Sequence, residues 1–276
     1  MRHTLYGKQG PQGGGQGLRG RRKQAEQGRD RGLSGSALKY IAAFSMLLDH
    51  VGLVLLEYLL VYGGHILAFD SPYRPMVVLW ARGLRMAGRL AFPIFCLLLA
   101  EGFVHTRSRG RYLLRLGVFA LISEIPFDLA VYNQWVCWDG QNVMLELALG
   151  LMTLWAAEEA ARRSVWGRNP FAFGCIVLVG SLAAEALRAD YGAVGILYMA
   201  AFFWLRENRA GRGAAAGLLG LLSTLEVNKG AGALSGIFVY LYNGRRGRAG
   251  WRYGFYLFYP AHLLALFLIR RLGMGI

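Results

Sequence analysis

The chain has 276 residues, is 55% hydrophobic and only 17% charged, and has a mean hydropathy of +0.34. Soluble domains are about a quarter charged, so this composition excludes an ordinary soluble enzyme and predicts an all-α, polytopic helical membrane protein. The net charge of +15 would suit nucleic acid, but the basic residues gather in the N-terminal tail and in alternate short loops. No nucleic-acid partner is therefore expected.

In chain order, residues 1–36 are rich in Gly, Gln and Arg and predict a disordered cytoplasmic tail. They lack the apolar region and cleavage site of a signal peptide. The run Leu38 to Leu60 reads as an uncleaved signal anchor. Further spans of membrane-crossing length are predicted near 77–104, 112–132, 142–160, 171–188, 190–205 and 254–270. Two shorter pieces, 214–224 and 231–242, read as thin spans or a re-entrant pair. Loops such as TRSRGR, RENRAGR and NGRRGRAGWR carry the arginines, and the alternate loops carry few. That bias predicts a cytoplasmic N-terminus and about nine spans in the bacterial cytoplasmic membrane, among membrane lipids. The terminal IRR violates the pattern mildly. Trp135 and Trp138 suit an interfacial aromatic belt. Cys96, Cys137 and Cys175 are scattered and make neither a disulfide framework nor a metal motif.

Several polar residues fall inside the predicted spans. Arg82, Arg85 and Arg89 recur at i, i+3, i+7 and share one helix face. One such charge costs about 2.5–3.5 kcal/mol at the centre of a spanning helix on insertion scales. Two readings stand. The stripe forms internal salt bridges, with Glu124 and Asp128 at i, i+4 as partners, or it clamps a phosphate-bearing or carbonyl ligand. Asp49 and His50 sit together in the first span, where His50 suits a general base. Neighbours on a helix point about 100° apart, so Asp49 is expected to pair with an arginine of the second span. The alternative is a structural histidine bonded to a carbonyl.

Glu101 and His105, again i, i+4, mark the cytoplasmic end of the second span and fit either a ligand headgroup or a solvated helix end. No third residue follows at metal-like spacing, so no metal is expected. In the last span Tyr256, Tyr259 and His262 fall on roughly one face, with His262 the deepest, and Pro260 gives a local break. Pro126 is expected to kink the helix carrying Glu124 and Asp128. Asn142, Glu146, Glu185, Asp190 and Asn243 are further polar residues in or near spans. No nucleophile elbow, P-loop or dinucleotide fingerprint occurs.

The blocks LLDHVG, GRLAFPIFCLLLAEGFVHT, RYLLRLGVFALISEIPFDLA, DYGAVGIL, LYNG and FYLFYPAHLL occur in this order. Together they make residues 37–276 resemble the TraX family of integral membrane proteins, whose namesake acetylates the N-terminus of a conjugative pilin. That family is similar to the wider transmembrane acyltransferases, which carry a basic residue, ten intervening positions and a His, then an Arg-x-x-Arg element. Lys39 with His50, and Arg82 with Arg85, have those spacings. The resemblance implies His50 as catalytic histidine and Arg82 and Arg85 as acyl-CoA-associated arginines.

The expected activity is transfer of an acyl group, foremost acetyl from acetyl-CoA, to an amine or hydroxyl such as a peptide N-terminus, an amino sugar or a glycan. His50, Asp49, Tyr259 and His262 are the catalytic candidates. Lys39, Arg82, Arg85, Arg89 and His105 are the acyl-CoA-binding candidates. Glu101, Glu124, Asp128 and Asn142 support them. An arginine or Tyr259 is expected to stabilise the oxyanion, with Asp49, Glu124 and Asp128 orienting the arginines. A proton-coupled transporter and a non-enzymatic assembly factor for a surface structure remain as alternatives.

Overall fold

The computed structural model describes residues 32–164, 169–247 and 253–275, and across them every regular element is helical. Of the expected tail, residues 1–31 lie outside the described residues. Gly32 to Ser36 are described, and they are tied down: Leu33 N–H donates to Leu241 O at 2.8 Å, Gly35 N–H to Arg245 O at 2.8 Å and Ser36 N–H to Arg246 O at 3.0 Å. Ser34 then caps the first helix by accepting from the Ala37 N–H at 3.2 Å.

That helix, α1, runs over Gly35–Tyr62 without interruption. A π-helical turn, Gly52–Glu57, widens it in the middle, two residues on from His50. The expected span 77–104 is two helices, α2 (Arg74–Gly88) and α3 (Ala91–His105). The break at Arg89–Leu90 follows from Pro93. Its ring excludes the carbonyl four residues back, and the short break leaves Pro93 in a first turn, where its missing N–H costs nothing. Pro126, by contrast, is carried inside α4 (Arg109–Val131), which continues through it as helix.

Asn142 caps α5 (Val143–Arg163), and Asn169 caps α6 (Pro170–Ala186). A short turn leads into α7 (Gly192–Trp204). The piece expected at 214–224 is longer, α8 (Arg209–Asn228), ended by Lys229 and Gly230 in left-handed conformation. A single turn of 3-10 helix precedes α9 (Ser235–Leu241). These two helices pack backbone to backbone: a side chain at Gly236 would meet Gly213 O at 2.6 Å, the small-residue contact typical of helices in lipid. The last helix is α10 (Gly254–Leu268), continued by a π-helical turn over Ile269–Met274.

α3 forms the centre. Phe92, Ile94, Cys96, Leu97, Leu99 and Phe103 are buried there on all sides, which explains why it shows almost no amphipathic pattern. α1, α5, α7 and α9 surround it, and α10 returns to lie on α4 and touch α1. Large apolar side chains such as Leu79, Trp80, Leu121, Val179, Leu222 and Leu272 face outward. Three helical stretches, Gly35–Tyr62, Arg74–His105 and Gly254–Met274, are long and apolar enough to cross a membrane.

The terminal arginine that broke the loop-charge pattern has a packing role. Arg270 is fully buried, donating from Nη1 to Ala130 O at 2.8 Å and from Nη2 to Leu129 O at 2.9 Å. Its guanidinium lies 3.7 Å over the ring of Tyr58, whose hydroxyl donates to Val131 O at 2.5 Å. A cation and a phenol thus cap the C-terminal carbonyls of α4.

Candidate functional site

The site starts where α1 and α2 touch. A side chain at Gly88 would lie 2.2 Å from Asp49 Oδ1, and one at Gly52 would lie 3.3 Å from Ala81 O. These two glycines let the helices approach closely. Between them, Ser45 Oγ donates to Ala87 O at 2.6 Å and reaches Gly88 O at 3.2 Å, closing the carbonyls freed at the end of α2.

At this contact Asp49 receives two arginines. Arg85 Nη1 donates to Oδ2 at 2.5 Å and Arg89 Nη2 to Oδ1 at 2.9 Å. Glu57 adds a second carboxylate 3.3 Å from Arg85 Nε. The pairing of Asp49 with arginines of the next span agrees with the helical spacing. The side chains of Asp49, Arg85 and Arg89 keep 13%, 19% and 16% exposure, so the cluster is not sealed. Arg82 stands apart from it: exposed, and without an ion pair among the described residues.

His50, beside Asp49, turns to the other neighbour of α1. Its Nδ1 lies 2.6 Å from His262 Nε2 on α10, and the rings stack with centroids 4.9 Å apart. His262 Nδ1 lies 2.6 Å from the carbonyl of Phe258. A carbonyl only accepts, so His262 Nδ1 carries the proton, and in the neutral ring Nε2 is an acceptor. His50 Nδ1 must then be the donor, which leaves the lone pair of a neutral His50 on Nε2. Backbone geometry thereby sets the tautomer of both rings. Buried Tyr259 completes the cluster, its ring centroid 6.1 Å from that of His50.

The α6–α7 turn closes the cluster at the same end of the bundle. Asp190 interacts electrostatically with Asp49, Arg85 and Arg89. Behind it Glu146 is fully buried, with its carboxylate towards the backbone N–H groups of Tyr191 and Gly192. Gly195 makes room for it, since a side chain there would meet Glu146 Oε1 at 2.2 Å.

Two expected pairings do not occur. Glu124 is bonded by Asn142 Nδ2, which also donates to Ala120 O at 2.9 Å. Asp128 accepts from the Cys137 N–H at 2.8 Å. Neither carboxylate reaches an arginine of the stripe. Both sit on α4, whereas the stripe packs against α1. They anchor the α4–α5 connection.

Lys39 and His105 also lie away from the arginines. Lys39 is exposed near the start of α1, with Nζ 5.8 Å from the Phe255 ring centroid. His105 is exposed at the end of α3, its Nδ1 2.8 Å from Glu101 O. Glu101 pairs with nearly buried Arg212 of α8 at 2.5 Å. Among the described residues no group of three or more His, Cys, Asp and Glu is placed to hold a metal. Sequence reasoning passed over Gly88, Ser45 and Glu57. Glu57 carried a signal, as another carboxylate in the first apolar run, but the two small residues carried none without knowledge of the α1–α2 contact.

The TraX protein family matches residues 34–270. The chain is 31% identical over 257 residues to a "Probable fimbrial assembly protein FimC, serogroup H1" of Dichelobacter nodosus, a match that covers 83% of this chain and 92% of the relative. No solved structure matches.

Proposed function

The chain belongs to the TraX family, and on that premise we propose that it is a multi-pass acyltransferase of the bacterial cytoplasmic membrane, with a cytoplasmic N-terminus and about nine spans. Its donor is acetyl-CoA. Its acceptor is an amine or hydroxyl at or across the membrane. The relative is named for fimbrial assembly, and modification of a surface-structure component fits that setting.

The observation that carries the proposal is the histidine pair. His262, fixed by Phe258 O, accepts the Nδ1 proton of His50 and leaves His50 Nε2 as a base. That nitrogen takes a proton from the acceptor N–H or O–H while the acceptor attacks the thioester carbonyl. The oxyanion forms beside Arg85, Arg89 and Tyr259, whose N–H and O–H groups stabilise it. Collapse breaks the C–S bond, and His50 returns the proton to the departing sulfur. Asp49 does not orient His50. It holds Arg85 and Arg89 at the side of the reacting carbonyl.

Purified protein in detergent is expected to bind acetyl-CoA and to transfer the labelled acetyl group. His50→Ala is expected to abolish transfer while retaining the fold and donor affinity. A wild-type rate in this variant removes His50 from the mechanism. Flux dependent on a proton gradient, without acetyl-CoA affinity, would favour a transporter. Surface assembly that tolerates His50→Ala and is lost on loop substitutions would favour a non-enzymatic assembly factor.

A further inference from the structure

Lys39 has neighbours that the sequence does not announce. The Gly32 to Ser36 segment is bonded through its backbone to the α9–α10 connection, and this brings the start of α1 beside Arg246, whose charge acts on Lys39. On the other side stands Arg209 at the start of α8. Its Nη2 is 3.4 Å from where a side chain on Gly32 would begin, and its guanidinium lies over the Tyr240 ring with Nε donating to Tyr240 O. Lys39 and Arg246 are exposed and Arg209 is half-buried, and none makes an ion pair with a carboxylate among the described residues. Three cations from three parts of the chain, none paired with a carboxylate among the described residues, thus flank the Gly32 to Ser36 segment and the first turn of α1 at one mouth of the bundle.

That mouth connects to the histidines along a single seam. Lys39 and His50 are separated by about three turns of α1, so they share a face roughly 16 Å apart. Phe255 stands at the Lys39 end of α10, 5.4 Å from the Tyr40 ring, and about one turn further along Phe258 stacks on His262. The distance suits the extended pantetheine arm that separates the phosphates of CoA from its thioester.

We infer that Lys39, Arg209 and Arg246 bind the phosphates of the acyl donor at the cytoplasmic mouth, and that the donor's arm follows the α1–α10 seam to His50. The inference rests on the acyl-transfer reading proposed above. It assigns the donor phosphates to this mouth rather than to the exposed Arg82 or to Arg85 and Arg89, which lie deeper in the bundle near His50, where the reacting carbonyl would sit. Guanidinium and ammonium groups suit phosphate oxygens, and no carboxylate among the described residues occupies their donors.

The test compares acetyl-CoA with acetyl-pantetheine, which has the thioester and arm but no phosphates, using the full chain in nanodiscs. Arg246→Ala is the first variant, because Arg246 holds Ser36 through its backbone carbonyl and not through its side chain. KM for acetyl-CoA is expected to rise about tenfold or more, and the preference for acetyl-CoA over acetyl-pantetheine to shrink by the same factor. Arg209→Ala is expected to act in the same direction, and Arg246→Lys to recover part of the loss. An unchanged preference in both alanine variants overturns the inference and leaves the acyltransferase reading standing. Variants that lose only a dependence on anionic lipid, with KM for acetyl-CoA unmoved, also overturn it, because the patch then binds headgroup phosphates. If the wild type neither binds nor uses acetyl-CoA, both fall together.

Discussion

Helices α1 and α10 meet through two polar contacts, one at His50 with His262 and one further along at Tyr58 with Arg270. The second buries a full positive charge, yet its side chains are committed to structure: two Arg270 nitrogens and the Tyr58 hydroxyl each hold a carbonyl at the end of α4. In the first, with both rings neutral, the donor–acceptor chain ends on a ring nitrogen with a free lone pair. Burial of charge is therefore a poor guide to chemistry in this bundle. The guide is an unused donor or acceptor in a place that a substrate can reach.

This contrast sets the expected order of effects. His50→Ala is expected to lower the transfer rate by roughly 10²–10⁴-fold with little change in the unfolding temperature in detergent. A large loss of stability instead would make the histidine pair a second structural bolt. Arg270→Met is expected to behave in the opposite way. Each α4 carbonyl left unpaired costs about 1–3 kcal/mol, read as a lowered unfolding temperature, while the folded fraction retains its turnover. Selective loss of turnover would erase the distinction.

Smaller effects sharpen it. Gly88→Ala forces a methyl group against Asp49. A cost of about 1–3 kcal/mol is expected, together with a fall in kcat as α2 and its arginines shift. Gly83→Ala, on the same helix with open space around it, serves as the control and is expected to be neutral or slightly stabilising. His262→Phe keeps the ring stack and removes the acceptor for His50, so turnover is expected to drop about tenfold, one hydrogen bond's worth. An unchanged rate would show that His50 needs no orienting partner. Tyr58→Phe is expected to cost about 1 kcal/mol of stability and leave transfer untouched.

The apolar runs announced nearly all the helices, because a buried or lipid-facing helix must be apolar over its whole length. Helical periodicity also located the Asp49–arginine contact, since both partners lie on consecutive elements. What stayed hidden were contacts between distant elements. Glu124 and Asp128 were assigned to the arginines because charge complementarity carries no information about which helix lies beside which. In the folded chain their partners are an amide on α5 and the backbone of the α4–α5 loop. Arg270 looked like a topological irregularity because its role depends on carbonyls whose positions no residue name encodes. The break at Arg89–Leu90 falls inside what the apolar pattern reads as one span, 77–104, and the closure of the freed carbonyls by Ser45 shows how it is tolerated.

The widened turn at Gly52–Glu57 lies between the two contacts of α1. A turn that holds an extra residue can lose one and become ordinary helix. Such a deletion would leave Asp49 and His50 where they are and keep Tyr58 close to its present phase, because the widened turn takes up its extra residue without adding a net rotation. The helix is built like a shaft with slack wound into it, which can be trimmed by one residue without turning either end. One-residue deletions across Leu53 to Leu56 are therefore expected to preserve both contacts, whereas the same deletion in the ordinary helix between Lys39 and Asp49 would rotate one end against the other by about 100°.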